Sequence, residues 1–187
     1  MSDCSLCRLE TKVDRILELL EGQDNKLSNM DTKILPTRLQ QGIQQNFPHE
    51  NLRRWGCYFF ALLRWAQEAN GRVYTDYDII SIFDNAQKQM MPNPNGNGTQ
   101  IPIITDTCFV NDPVRLLNFL AGKRIVSNVA LWTNEANHPA PSEQIYIMRE
   151  KQSSNLAHFV LIIGGVRWDS LSPVSPPRNP AGFRVLV

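Results

Sequence analysis

Apolar residues near the start of the chain recur in alternating steps of three and four. With Gln23 filling the one remaining slot, the series is Leu6, Leu9, Val13, Ile16, Leu20, Leu27, Met30 and Ile34. This spacing is the heptad pattern of a coiled coil. Oppositely charged residues flank the seam, so that Lys26 of one helix can pair with Asp31 of a parallel neighbour. The pattern predicts a coiled-coil oligomerisation helix over residues 1–35, with self-association through residues 6–34.

The number of strands in this coiled coil depends on the residues beside the seam. Leu17 and Leu19 widen the apolar stripe, which favours a trimer over a dimer. The alternative is a single amphipathic helix that packs on the chain's own globular part. Pro36 ends the helix because proline cannot continue the hydrogen-bond ladder. The polar, Gln-rich residues 36–50 are then predicted to be a linker.

The next apolar positions predict three helices. A buried helix extends from about Gly56 to Asn70, and a second begins with Thr75 or Asp76 as its N-cap. The third has Asp112 as N-cap, Pro113 in its first turn and Gly122 at its end. Between the second and third, residues 92–98 contain only Pro, Asn and Gly, which predicts an exposed loop.

The apolar period changes to that of strands after Gly122. Five strands are predicted, at Ile125–Trp132, Gln144–Met148, His158–Ile163, Val166–Asp169 and Phe183–Val187. Because helices come first and strands follow, the sequence predicts an α+β domain over residues 51–187, with an antiparallel sheet packed on the long helix.

Composition and charge exclude several classes of protein. The chain of 187 residues is 42% hydrophobic and has a net charge of +1. Residues 1–35 hold five basic and seven acidic side chains, for a net charge of −2, and the remainder holds 14 and 11, for a net charge of +3. Neither part has the strongly basic surface of a nucleic-acid-binding protein. No apolar run, that of Phe159–Ile163 included, is long enough to span a bilayer. No signal peptide is predicted, which indicates cytoplasmic synthesis.

The four cysteines are too few and too scattered for a disulfide scaffold. Cys4 and Cys7 have the spacing of half a zinc site, but no second pair of ligands follows at a suitable distance. If the N-terminal helices associate, copies of this pair meet at one end, where a shared metal or interchain disulfides would be feasible. No metal and no cofactor is predicted, since the chain also lacks a glycine-rich phosphate loop after a strand.

Two residues that could form a catalytic pair follow from a predicted hairpin. Gly164-Gly165 between two β-rich runs predicts a two-residue turn. Pairing Ile163 with Val166 then makes His158 and Asp169 diagonal neighbours on one face of the sheet. A carboxylate in that position orients an imidazole and stabilises its charged form.

Cys57 is the candidate nucleophile for this pair. It begins the first long helix, where free backbone N–H groups and the helix dipole favour the thiolate. Each residue also has an ordinary structural explanation: a small core cysteine, a hydrogen-bonded histidine at a strand start, and an aspartate that caps a turn. Their joint occurrence favours the catalytic interpretation.

These residues carry a resemblance to a known family. Trp55-Gly56-Cys57-Tyr58, Ala157-His158-Phe159-Val160 and Trp168-Asp169-Ser170-Leu171 resemble the motifs of papain-like cysteine peptidases of the bacteriocin-processing kind. Small spirochaete and bacteriophage members are the most similar, since they end in a strand like Gly182-Phe183-Arg184-Val185. The resemblance covers about residues 45–187.

The resemblance implies a papain-like core with Cys57 as nucleophile, His158 as base and Asp169 as orienting carboxylate. The family places an oxyanion-stabilising Gln six residues before the cysteine. Asn51 stands at that position here, and it keeps the amide donor on a side chain one methylene shorter. Activity is therefore a weaker implication than fold.

Three functions are compatible with these features. The first is a thiol hydrolase, a cysteine peptidase or amidase acting on peptides such as those of peptidoglycan, displayed in several copies by the coiled coil and associated with a phage. The second is a structural assembly protein of a virion or tail, bound to other virion proteins, that retains the papain-like fold without strong catalysis. The third is acyl transfer by the same three residues.

Overall fold

The structure is a computed structural model that describes residues 39–96, 98–133, 145–151, 157–171 and 180–187. All of them belong to one compact unit, Pro36–Val187. The predicted coiled coil and the pair Cys4 and Cys7 lie outside the described residues. Among the helices that are described, none combines the length and the apolar character that crossing a membrane requires.

Helices occupy the first half of the described chain. They are α1 (Glu50–Trp55), α2 (Cys57–Asn70), α3 (Asp76–Gln87) and α4 (Pro113–Ala121), preceded by a short 3-10 helix at Ile43–Asn46. The predicted starts are confirmed by their caps: Thr75 forms a capping box with Asp78, and the Asp112 side chain accepts a hydrogen bond from the backbone N–H of Arg115. Such caps satisfy N–H groups that the first helical turn leaves without partners.

Helix α2 lies at the centre of the core. Every residue from Tyr58 to Gln67 is buried, and Phe59 and Phe60 have no exposed surface. A helix that is buried all round must be enclosed by other elements, and α2 packs against α4 and against the strand Ala157–Ile163. The predicted buried helix is thus confirmed, and its first residue is Cys57.

Strands occupy the second half, with one small exception. They are β1 (Met90–Pro92), β2 (Gln100–Pro102), β3 (Val129–Thr133), β4 (Tyr146–Lys151), β5 (Ala157–Ile163), β6 (Val166–Trp168) and β7 (Pro180–Leu186). The last five form an antiparallel sheet in the order β3-β7-β4-β5-β6. The α+β class with an antiparallel sheet is confirmed.

The exception is the hairpin of β1 and β2. Pro92, predicted to begin an exposed loop, pairs instead with Gln100. Proline, which has no N–H, is tolerated there because Asn93 and Thr99 form the neighbouring hydrogen-bonded pair, so the nitrogen of Pro92 falls on the unpaired edge of this two-stranded sheet. The turn between the strands is exposed, as the Asn and Gly composition predicts.

Both faces of the five-stranded sheet bury apolar side chains. Ile147 and Leu161 face the helices and join the main core. Val160 and Ile162, their neighbours along the strands, join a separate cluster with Phe183 on the opposite face. The alternation follows from the two-residue period of a strand.

Residues 39–50, predicted to be part of a linker, are packed into the fold. Leu39 and Phe47 are buried in the core, and the Leu39 carbonyl accepts a hydrogen bond from Nε1 of Trp168. The backbone N–H groups of Gly42 and Gln44 donate to the carbonyls of Asp169 and Ser170, at 3.0 and 2.8 Å. The polar composition suggested a connection because the two apolar anchors are isolated, and residues 168–170, to which the backbone of this segment bonds, lie more than 120 residues away.

The junction between α1 and α2 has no room for a side chain. A Cβ on Gly56 would overlap the backbone carbonyl oxygen of Leu52. We expect Gly56→Ala to lower the free energy of unfolding by about 2 kcal/mol or more, because backbone atoms must shift. Urea denaturation measures this effect.

A matched control is Gly71→Ala at the other end of α2. Gly71 has a φ of 65°, but a Cβ there meets nothing within 4 Å. Replacement of Gly71 by alanine should lower the free energy of unfolding by only about 1 kcal/mol, the cost of placing a Cβ in a left-handed backbone conformation. Equal or smaller destabilisation by Gly56→Ala would contradict the steric argument.

Candidate active site

The predicted hairpin brings the two halves of the candidate site together. Ile163 pairs with Val166 and Leu161 with Trp168, which is the predicted register. Gly164 and Gly165 have φ values of 54° and 78°, as a two-residue turn of this type requires. Continuing this register toward the other end of the hairpin brings His158 and Asp169 onto one face.

His158 and Asp169 form a buried hydrogen-bonded pair. Nε2 of His158 lies 2.8 Å from Oδ1 of Asp169, and the side chains are 2% and 1% exposed. The same oxygen accepts a hydrogen bond from the backbone N–H of Leu171 at 2.8 Å. The carboxylate therefore fixes the ring orientation and leaves Nδ1 as the nitrogen that can act on another group.

A second ion pair supports Asp169 from behind. Arg167 donates to Oδ2 of Asp169 at 2.7 Å and, through two nitrogens, to both carboxylate oxygens of Glu150 at 2.8 and 2.9 Å. Glu150 is completely buried. This fork-shaped contact orients the guanidinium. The sequence analysis missed it because Glu150 and Arg167 lie on separate strands, and only the order of strands in the sheet brings them together.

The surroundings of His158 favour its charged form. Burial acts to lower the pKa of the imidazole, but the hydrogen bond to Asp169, the nearby thiol of Cys57 and the charges of both groups outweigh it and raise the pKa to about 9. For Asp169, burial raises the pKa, but the hydrogen bond and charge of His158, the Leu171 N–H and the charge of Arg167 together outweigh burial, so the pKa is lowered overall. At neutral pH the pair is an imidazolium and a carboxylate.

Cys57 lines the same cavity as His158. Its thiol is near enough to raise the His158 pKa. However, no hydrogen bond of regular geometry joins Sγ to Nδ1, and Nδ1 has no partner among the described residues. Loose contacts of this kind are common in catalytic sites without substrate. The three residues predicted as a triad are thus brought together.

Cys57 and His158 open into one cavity of about 600 Å³. Its described lining is mostly apolar and aromatic and consists of Gln44, Arg54, Trp55, Cys57, Tyr58, Thr107, Cys108, Phe109, Val110, Trp132, Ala157, His158, Phe159, Leu171 and Arg184. Trp55, Phe109 and Trp132 are about half exposed or more. A concave, largely apolar cavity with a few polar groups is typical of a ligand-binding site.

The side-chain amide in this cavity is that of Gln44 rather than Asn51. Asn51 lies in α1, outside the cavity lining, and its backbone carbonyl is 3.5 Å from Sγ of Cys108. Gln44 is buried, accepts a hydrogen bond from Oγ of Ser170 and donates one from Nε2 to the carbonyl of Arg53. Because Gln44 lines the cavity, the second N–H of its amide is the candidate side-chain donor there. The Gln-rich segment before Cys57 was the only signal for it, and spacing could not single out one glutamine.

Cys108 is a second cysteine in the cavity lining, with different properties. It is 5% exposed, and its φ of 62° lies in the left-handed region, which is uncommon for a residue with a side chain. Burial, followed by the charges of Cys57 and Asp106, raises its pKa to about 12. Cys108 is therefore a protonated thiol at neutral pH and a poor nucleophile.

The described parts of the chain contain no group of three His, Cys, Asp or Glu side chains placed to hold a metal ion.

Comparison of the chain with models of protein families, with curated proteins and with solved structures finds no match.

Proposed function

We propose that the chain is a thiol hydrolase, a cysteine peptidase or amidase with a papain-like core, in which Cys57, His158 and Asp169 act as the catalytic residues. The observation that carries this proposal is the buried His158 ring, held by Asp169 at Nε2, whose Nδ1 has no partner among the described residues and which lines the same cavity as Cys57. A merely structural histidine would be expected to have partners at both nitrogens.

The reaction begins with the thiolate of Cys57 paired with the imidazolium of His158. The sulfur attacks the carbonyl carbon of an amide and forms a C–S bond, and the carbonyl oxygen becomes an oxyanion. The free N–H of Gln44 is the side-chain donor available to stabilise that oxyanion. When the intermediate collapses, the C–N bond breaks and Nδ1 of His158 gives its proton to the leaving amine.

Hydrolysis of the resulting thioester restores the site. His158, now neutral, takes a proton from water through Nδ1, and the hydroxide adds to the acyl carbon. The C–S bond then breaks, and the products are a carboxylic acid, the thiolate and the imidazolium. Asp169 keeps the ring oriented throughout. An amine in place of water would give acyl transfer through the same steps.

The heptad pattern of residues 6–34 supports display of this domain in several copies, through a trimeric coiled coil. It also supports the alternative function, a structural component of a virion or tail that keeps the fold without turnover. The two functions differ in the chemistry of Cys57, because a scaffold does not need a reactive thiol.

Alkylation of the full-length protein by iodoacetamide distinguishes them. An ordinary thiol loses about tenfold of its thiolate for each pH unit below its usual pKa of about 8.5. A thiolate paired with imidazolium keeps its reactivity, so we expect the rate at Cys57 to fall less than about threefold between pH 8 and pH 6. Peptide mapping by mass spectrometry assigns the label to each cysteine.

Cys108 is the internal control in the same cavity and should stay unlabelled over this range. Cys57→Ser should remove the rapid alkylation that is assigned to Cys57. If Cys57 of the native protein is inert, or if its rate follows that of an ordinary thiol, the hydrolase proposal fails and the structural alternative is favoured.

A further inference from the structure

Arg184 is a buried cation in the active-site cavity without an ionic partner in the described chain. It lies in the middle of β7, where its neighbours across the sheet are Trp132 and Ile147. It is only 9% exposed, and its Nε atom has no hydrogen-bond partner. Burying a guanidinium in this way is costly unless a partner compensates.

Aromatic rings enclose the faces of this guanidinium. Its central carbon lies over the rings of Trp132, Phe159 and Tyr58, at 4.0, 4.8 and 5.2 Å from their centroids. Cation–π contacts of this kind stabilise the charge and hold the group in place. The rings do not accept hydrogen bonds from the N–H groups in the plane of the guanidinium. These N–H groups stay available to a planar anion.

A second donor without a described partner belongs to Tyr58, whose ring packs against the Arg184 guanidinium. The hydroxyl of Tyr58 is buried, has no hydrogen-bond partner among the described residues and belongs to the same cavity lining. Burial raises the Tyr58 pKa, so the hydroxyl keeps its proton, and burial also lowers the pKa of Arg184. Of the described residues that line the cavity, none is acidic and two are arginines. Arg54 is paired with Glu50 outside this lining, so Arg184 is the cavity arginine that no described carboxylate neutralises.

We infer that Arg184 and the Tyr58 hydroxyl form a carboxylate-binding subsite, and that the substrate of this cavity carries a carboxylate near the bond that is cleaved. The inference deepens the proposed hydrolase function. The statement about a substrate rests on that function, but binding of a carboxylate at this subsite does not need a reactive cysteine. A carboxylate would pair with the buried guanidinium and accept a hydrogen bond from the phenolic O–H.

The test is a comparison of two probes of nearly the same shape on full-length Cys57→Ser protein. Phenylacetate carries the carboxylate and phenylacetamide is its neutral analogue, and NMR titration measures both dissociation constants. A hydrogen bond to a charged group is worth enough to favour phenylacetate by about tenfold or more. Equal affinity for the two probes, or no binding of either, would overturn the inference.

Variants of the Cys57→Ser protein show which residues cause the preference for phenylacetate over phenylacetamide. Arg184→Met should abolish it, while Arg54→Met should keep it, because Arg54 lines the same cavity but is exposed and already paired with Glu50. If Arg184→Met does not fold, Tyr58→Phe still decides: it keeps the ring and should weaken phenylacetate about threefold while leaving phenylacetamide unchanged. Loss of the preference in Arg54→Met but not in the other variants would place the anion elsewhere and refute the subsite.

The source of the carboxylate is found by competition with phenylacetate. N-acetylphenylalanine presents a chain-terminal carboxylate, and N-acetylaspartyl-phenylalanine amide presents a side-chain carboxylate. Displacement by either supports the subsite and identifies the source, whereas displacement by neither overturns it. If Cys57 of the native protein is reactive but the Cys57→Ser protein does not prefer phenylacetate, the subsite proposal alone is refuted. If Cys57 is inert but the preference for phenylacetate is found, only the hydrolase proposal is refuted.

Discussion

Replacing Arg167 by methionine is expected to lower the free energy of unfolding by about 3–5 kcal/mol. Arg167 is the cation between two almost fully buried carboxylates, those of Glu150 and Asp169. Removing one partner of a buried ion pair leaves an uncompensated charge, and this costs far more than an exposed pair contributes. Asp169 keeps His158 as a partner, so the penalty falls chiefly on Glu150. Chemical denaturation at pH 7 measures the change.

The double variant Arg167→Met with Glu150→Gln tests the cause. It removes the charge that the single variant leaves buried, so it should recover a large part of the lost stability even though it contains one more substitution. Arg54→Met is the exposed control, since its pair with Glu50 is more than half exposed on both sides, and it should change stability little. If the double variant is no more stable than Arg167→Met, loss of packing rather than buried charge would be responsible.

In Cys57→Ser protein, which forms no thiolate at position 57, stability should fall as the pH rises from 6.5 toward the folded pKa of His158. His158 is responsible, because its buried hydrogen bond to Asp169 and the charge of that carboxylate act to raise its pKa on folding. The folded state therefore binds a proton that the unfolded chain releases first. This contribution is fully present below pH 6.5 and is lost as the pH passes the folded value. Denaturation at a series of pH values measures the slope.

His158→Gln isolates this contribution. The glutamine amide can still donate to Asp169, but it does not titrate, so the slope between pH 6.5 and 9 should disappear. The lowered pKa of Asp169 acts in the opposite direction and at another pH: its contribution is present above the usual aspartate range and is lost as the medium becomes more acidic. An unchanged alkaline slope in His158→Gln would show that another group titrates.

Local sequence predicted those parts of the site that depend on neighbouring residues. Gly164-Gly165 specified the turn, the turn specified the register, and the register placed His158 beside Asp169. Cys57 was correctly placed at the start of a helix because Gly56 and the apolar period mark that boundary. In each case the information lies within a few residues of the chain or follows from the two-residue period of a strand.

The groups that shape the cavity were not predicted, because they are brought in by long-range packing. Gln44 occupies the cavity because residues 42 and 44 bond to the backbone of residues 169 and 170. Arg184 was noted only as part of a strand motif, and its partners Tyr58, Trp132 and Phe159 come from three other elements. No spacing rule relates positions so far apart.

The sequence by itself therefore determined the α+β class, the starts of the three longer helices and the hairpin that joins His158 to Asp169. Helix caps, apolar periods and turn glycines act over a few residues, and each leaves a local pattern. The tertiary structure alone decided the strand order, the buried Arg167 network and the cationic cavity in front of Cys57. Those features depend on which side chains meet across the core, and burial gives each of them its energetic weight.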